Sequence, residues 1–317
     1  MSLLERRLLF VTGKGGVGKT TIAAALGLLA SRRGRRVLVC ELEPKGDLAA
    51  AYDCGETSFV PRQVRPGLYA MSMDTEASLR EYLWLNLKVP VAGRIGTLAR
   101  VFDFVATAAP GVREVLTVGK LCYEVREEHY DLVVADASST GHIVGQLAAP
   151  VGINELVRVG AVRSQTRWML EMLSDPATTG VCLVATPEEM PVNEAIELAG
   201  RLEGETTVKL ALLVANRVLP ELFGRGEEAV FERLGEPDAL DALGRALGPS
   251  ERRSLEEVLA AARLAVRLRR NGASHLERLR RAAPSVPLVY VPFLFGRSHG
   301  PRAINRVAAA LAEELGE

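Results

Sequence analysis

The chain has few cysteines, and the four it has stand far apart: Cys40, Cys54, Cys122 and Cys182. Without a C-x-x-C pair they give neither a disulfide framework nor the ligand spacing of a structural zinc site, and such usage fits a reduced, cytoplasmic compartment. Also missing is any apolar run near the ~18 residues of a membrane-spanning helix. The N-terminus enters an apolar strand at Leu8 with no leader-like stretch before it. A soluble protein is expected, with any membrane connection made peripherally or through a partner. The formal charge is zero and no run of one sign stands out. Composition therefore offers neither a nucleic-acid footprint nor a polybasic membrane patch, and no nucleic-acid partner is expected.

What is present is a chain of 317 residues with 48% hydrophobic content, enough to bury a large core. Apolar, β-branched runs recur at 8–13, 36–42, 68–73, 131–137, 181–186, 208–216 and 287–292. Between them lie helix-period segments over about 19–34, 76–88, 97–129 (interrupted near Pro110), 152–174, 191–203, 249–282 and 299–315. Near-continuous apolar strands alternating with helices require a mostly parallel sheet covered on both faces. The fold class is α/β, doubly wound, with about seven strands. No linker or repeat divides the chain, so one domain over 1–317 is expected, with helical elaborations over about 75–130 and 217–285. Within the second, residues 250–281 read as a long charged amphipathic helix with an apolar stripe at Leu255, Val258, Leu259, Ala262 and Val266.

The most specific signal is Gly13-Lys14-Gly15-Gly16-Val17-Gly18-Lys19-Thr20, which satisfies G-x-x-x-x-G-K-[ST] between an apolar strand and a helix opening at Thr20 and Thr21. Glycines let backbone N–H groups turn inward around a phosphate, and the helix N-terminus adds partial positive charge. Lys19 is then expected on the β- and γ-phosphates of ATP, and the Thr20 hydroxyl on Mg²⁺. Later in the chain, an apolar strand ends on Asp136, as a carboxylate holding Mg²⁺ through a water would require. At the end of the second strand Glu43 offers a carboxylate able to position an attacking water, with Glu41 and Asp47 as neighbours able to share that work.

The string K-G-G-V-G-K-T-T, Lys14 to Thr21, resembles the deviant Walker A loop of the MinD, ParA, nitrogenase iron-protein and ArsA group of dimerising P-loop NTPases, the SIMIBI class. D-A-S-S-T-G-H, Asp136 to His142, is similar to the second switch of the ArsA and guided-entry ATPases, which narrows the likeness to bacterial, actinobacterial-type members. The resemblance covers most of the chain, Gly13 to about Arg297. It implies a cytoplasmic Mg-ATPase binding ATP and ADP, in which Lys14 reaches across a dimer interface to the partner's nucleotide. It further implies that Ser138 to Gly141 sense the γ-phosphate, that His142 begins the relaying helix, and that Asn216, Pro292 and Phe293 hold the adenine. Glu43 departs from the family's aspartate by one methylene, which leaves room for a heterodimer whose related partner carries the stronger catalytic residues; a homodimer is the alternative. No arsenite cluster and no zinc C-x-x-C are evident, only Cys122 lies in the relevant region, and Trp168, Met169 and Met172 suggest core or a modest groove. The protein or membrane-associated client stays open. A MinD- or ParA-like positioning ATPase is a weaker reading, because the C-terminal helix ends acidic and no basic patch is visible.

Overall fold

All seven apolar runs become strands of a single eight-stranded sheet. In chain order the strands are β1 (Leu8–Gly13), β2 (Val37–Glu41), β3 (Arg62–Arg65), β4 (Leu68–Ser72), β5 (Leu132–Ser139), β6 (Thr179–Ala185), β7 (Leu210–Val218) and β8 (Leu288–Pro292). This computed structural model describes residues 2–87, 111–156, 161–248, 252–295 and 300–316. The sheet order is β3-β4-β2-β5-β1-β6-β7-β8, parallel throughout except that β3 runs antiparallel to β4. The eighth strand corrects the count of seven. Its sequence, Arg-Gln-Val-Arg, is exposed or half-buried and carries no apolar pattern, so an edge hairpin turning at Gly67 escapes a search for buried runs.

The strict alternation of a strand decides which helices each residue meets. Leu9 and Val11 of β1 join one core with α1 (Lys19–Arg32), α2 (Asp47–Tyr52) and α11 (Pro301–Leu315). Leu8 and Phe10 point to the other face, where the core is closed by α4 (Val112–Arg126), α5 (Thr140–Leu156), α6 (Ala161–Ser174) and α7 (Glu189–Glu205). The remaining helices are α3 (Thr75–Leu87), α8 (Arg225–Arg233), α9 (Pro237–Leu247) and α10 (Arg252–Ala282).

Helix α1 sits so close to the sheet that a Cβ on Gly27 would stand 2.4 Å from Val39 Cγ2 and 3.1 Å from the Tyr52 hydroxyl. Tyr52 is held there by donating to the Ala24 carbonyl at 2.9 Å. Gly27→Ala is therefore expected to destabilise the fold by about 1–3 kcal/mol through overpacking, despite alanine's better helix propensity. Chemical denaturation that found the variant as stable as the wild type would contradict this packing.

Two helix expectations shift. The helix after β5 begins at Thr140 with no intervening loop and continues through Pro150, whereas the sequence pattern placed a helix over 152–174. Proline ordinarily interrupts a helical ladder, so the pattern restarts only beyond it. The first part of the expected 97–129 helix lies outside the described residues. In α10 the buried face is Leu259, Gly272, Leu276 and Leu279, while Val258, assigned to the apolar stripe, is 64% exposed.

Candidate functional site

In a parallel sheet every strand delivers its carboxyl end to the same edge, and that edge is where α/β proteins bind ligands. Here Gly13, Glu41, Asp136 and Asn216 all arrive there, at or near the ends of β1, β2, β5 and β7. Between them lies a cavity of about 560 Å³ whose lining includes Gly15, Gly16, Gly18, Lys19, Thr20 and Thr21 together with Glu41, Glu43, Asp47 and Asp136.

The loop's shape depends on glycine at two points. At Gly13 (φ 153°) a Cβ would lie 2.2 Å from the Val184 carbonyl oxygen, so the chain can leave β1 beside β6 only without a side chain. At Gly18 the backbone is left-handed (φ 94°) and a Cβ would meet Asn216 Nδ2 at 2.5 Å. Helix α1 then opens at Lys19 and points its N-terminus into the cavity. Val17, by contrast, faces the core.

Lys19 donates to the Lys14 carbonyl at 3.4 Å, and partial burial lowers its pKa while Asp136 opposes that shift. The Thr20 hydroxyl donates to Asp136 Oδ2 at 2.6 Å. The other carboxylate oxygen, Asp136 Oδ1, is buried with no partner in the protein. Burial pushes the Asp136 carboxyl up to about 6, against the pull of the Thr20 hydroxyl and Lys19. An orphaned buried carboxylate oxygen beside a threonine hydroxyl fits a hard divalent cation, which accepts such a pair and keeps waters elsewhere in its shell. Among the described residues no group of three or more His, Cys, Asp or Glu forms a protein-only metal cage.

Glu41, which ends β2, and Glu43, just beyond it, have different tasks. Glu41 is buried, and its Oε1 accepts the backbone N–H groups of Lys45 (3.2 Å) and Asp47 (3.1 Å), while Oε2 accepts the Ser72 hydroxyl at 3.2 Å. It organises the 43–47 turn and is occupied in doing so. Glu43 stays accessible, lines the cavity and pairs with Lys45 at 2.9 Å. It also borders a second cavity, of about 530 Å³, shared with Gly141, His142 and Glu114. Ser138 is buried and donates to Gln146 Oε1 at 3.0 Å, and its carbonyl accepts from Thr12 at 2.8 Å.

Lys14 does not point at the cavity of its own chain. Its ammonium pairs with Glu194 of α7 at 2.5 Å, and the second oxygen of Glu194 accepts the Thr140 hydroxyl at 3.2 Å. Glu194 thus joins the first loop to the start of α5, a residue that sequence reasoning missed. Its one signal in the sequence is the acidic segment following β6, which contains Glu188, Glu189 and Glu194.

Asn216 is buried with both ends of its amide in use: Nδ2 donates to the Val17 carbonyl at 2.8 Å and Oδ1 accepts the Arg217 N–H at 2.9 Å. It therefore clamps the phosphate-type loop to β7. Pro292 and Phe293 lie alongside, Phe293 N–H donating to the Val218 carbonyl at 2.8 Å, and neither belongs to the cavity lining; Phe293 stacks edge-on with Phe295. Cys122 is buried, its thiol pushed up to about 12, as is that of Cys182.

The sequence matches the anion-transporting ATPase family over residues 6–169 and 153–230. ATPase BagA of Mycobacterium tuberculosis is 33% identical over 225 residues, which take in 68% of this chain and 66% of that protein. The arsenical pump-driving ATPase of Acidiphilium multivorum is 27% identical over 233 residues, 67% of this chain and 40% of its own length. ATPase get3 of Schizosaccharomyces japonicus is 30% identical over 184 residues, 55% of this chain and 54% of its own. The chain thus spans less than two thirds of the length of these relatives.

Proposed function

This chain belongs to the anion-transporting ATPase family, and from that premise we propose that it is a cytoplasmic, Mg²⁺-dependent ATPase acting as a dimeric nucleotide-gated switch. ATP is hydrolysed to ADP and phosphate, and the nucleotide state holds or releases a protein or membrane-associated partner. The observation that carries the proposal is the Thr20 and Asp136 pair, with one buried carboxylate oxygen unpartnered, at the foot of a glycine loop that leads into a helix N-terminus. A bound magnesium ion would neutralise charge building on the transferred phosphoryl group. Lys19 and the N-terminus of α1 bind the phosphates, Thr20 and Asp136 hold the metal end, and Glu43 orients the attacking water. For that task Glu43 must exchange its contact with Lys45 for the water. Among the described residues no helix is long and apolar enough to cross a membrane.

The Glu43 and Lys45 pairing also favours a second reading, a weakly active subunit of a heterodimer in which a related chain supplies the faster site.

The metal assignment has a pH signature. Asp136 must be ionised to hold the cation, and burial raises its pKa to about 6, so protons and Mg²⁺ compete as pH falls through that value. Apparent Mg²⁺ affinity at fixed ATP is expected to rise about tenfold per pH unit below 6 and to level off above it. In Asp136→Asn the Mg²⁺ dependence collapses together with hydrolysis. Hydrolysis by that variant with wild-type Mg²⁺ requirement would overturn the assignment.

A further inference from the structure

The geometry points to Arg217 as a further nucleotide-binding residue, one that takes the base of the nucleotide by stacking. The inference rests on the reading above that the cavity accepts ATP. Three non-glycine residues among those described have positive φ: Asp53, Glu128 and Arg217. Asp53 caps the end of α2 and Glu128 follows the end of α4, places where a left-handed residue routinely stops a helix. Arg217 instead sits inside β7 at φ 60°, in a long-side-chain residue that gains nothing locally from that conformation.

The kink is actively held. Asn216 accepts the Arg217 N–H with one end of its amide and grips the Val17 carbonyl with the other, and the β7 and β8 register breaks between Ala215 and Val218. The consequence is that the Arg217 side chain, exposed, joins the lining of the phosphate-loop cavity, which also takes in Gly300, Ala303 and Ile304 at the start of α11. The cavity's other cations lie nearer the phosphate end: Lys45 pairs with Glu43, and Lys19 donates to the Lys14 carbonyl of the loop. Among the described residues, no carboxylate pairs with Arg217.

Position decides which end of the nucleotide it meets. Asp136 and Glu43 mark the metal and γ-phosphate end on the β5 and β2 side of β1. Arg217 lies on β7, two interstrand spacings or about 10 Å to the other side of β1. A nucleotide seated with its phosphates on the loop and its metal at Asp136 must run its ribose and base toward β7. There a planar guanidinium covers the face of a purine, attracted by its π-system.

The test compares ATP with inorganic tripolyphosphate, each titrated with Mg²⁺ into the full chain by calorimetry. Arg217→Asn keeps a residue that tolerates left-handed backbone, and Arg217→Gly keeps the conformation with no side chain at all. Both are expected to weaken ATP binding about 3- to 30-fold and to leave tripolyphosphate binding unchanged. Wild-type ATP affinity in both variants overturns the proposal, as does an equal loss for ATP and tripolyphosphate, which would make Arg217 a phosphate ligand or a purely structural residue. A wild-type chain that binds tripolyphosphate but not ATP likewise overturns it, whereas one that binds neither ligand refutes the nucleotide reading on which it depends.

Discussion

Lys19→Ala is expected to lower ATP turnover by about 10²- to 10³-fold, the usual cost of removing one preorganised charge at a transferring group. The local electrostatics argue for the upper part of that range. Lys19 is partly buried, and its ammonium is one of the two groups restraining the upward pKa shift of Asp136. Deleting it removes the proposed phosphate ligand and at the same time leaves the Asp136 carboxylate with the Thr20 hydroxyl as its main counterweight. The Asp136 pKa should then climb beyond about 6, so the variant should also need more Mg²⁺ at neutral pH. Phosphate release measured at saturating ATP and over a range of Mg²⁺ separates the two effects, since only the second is recovered by added metal. Undiminished turnover in Lys19→Ala would mean that hydrolysis, if present, occurs elsewhere.

What could be read from the sequence was what is local along the chain. The glycine loop, Lys19, Thr20 and the strand before them are contiguous, so their geometry follows from φ/ψ requirements that glycine announces and from a helix that opens at once. Asp136 was legible for a similar reason, because an apolar strand ending in aspartate is a short pattern. The edge strand β3 was not, since exposed residues carry no burial signal. The start of α5 was hidden by Pro150, which the fold tolerates inside a helix packed on the sheet.

The remaining parts of the site are made by meetings across long sequence separations. Glu194 finds Lys14 across 180 positions, and Asn216 finds Val17 across 199. No spacing rule reports such a contact. Glu41 shows the same limit from the other side. Beside Glu43 it looked able to share the chemistry, and only its three hydrogen bonds to the 45–47 turn and Ser72 reveal that it is spent on shaping the loop. Arg217 differs again, because its strained backbone leaves no trace in residue type.

Lys14→Ala should cost about 10³-fold or more in turnover, as loss of a cation supplied in trans does, while ATP binding to the single chain is retained. The structure gives this expectation its physical content. Within one chain Lys14 is engaged by Glu194, which also holds Thr140 at the start of α5, so the lysine is directed away from its own phosphate loop. To reach a nucleotide in a second subunit it must leave Glu194 Oε1, and Glu194 then keeps the Thr140 hydroxyl on its other oxygen. A mixing experiment tests the trans arrangement directly. Lys14→Ala retains a competent phosphate loop but donates no lysine; Lys19→Ala donates Lys14 but cannot use a nucleotide. In a symmetric dimer of this chain, half the dimers in an equal mixture contain one complete site, and activity should return to about a quarter of wild type from two inactive parents. Rescue identifies the second subunit as a copy of this chain. If the mixture stays inactive while Lys19→Ala stimulates hydrolysis at the site of an added related ATPase, Lys14 serves a heterodimer, and the engagement of Glu43 by Lys45 is consistent with a partner that carries the faster site.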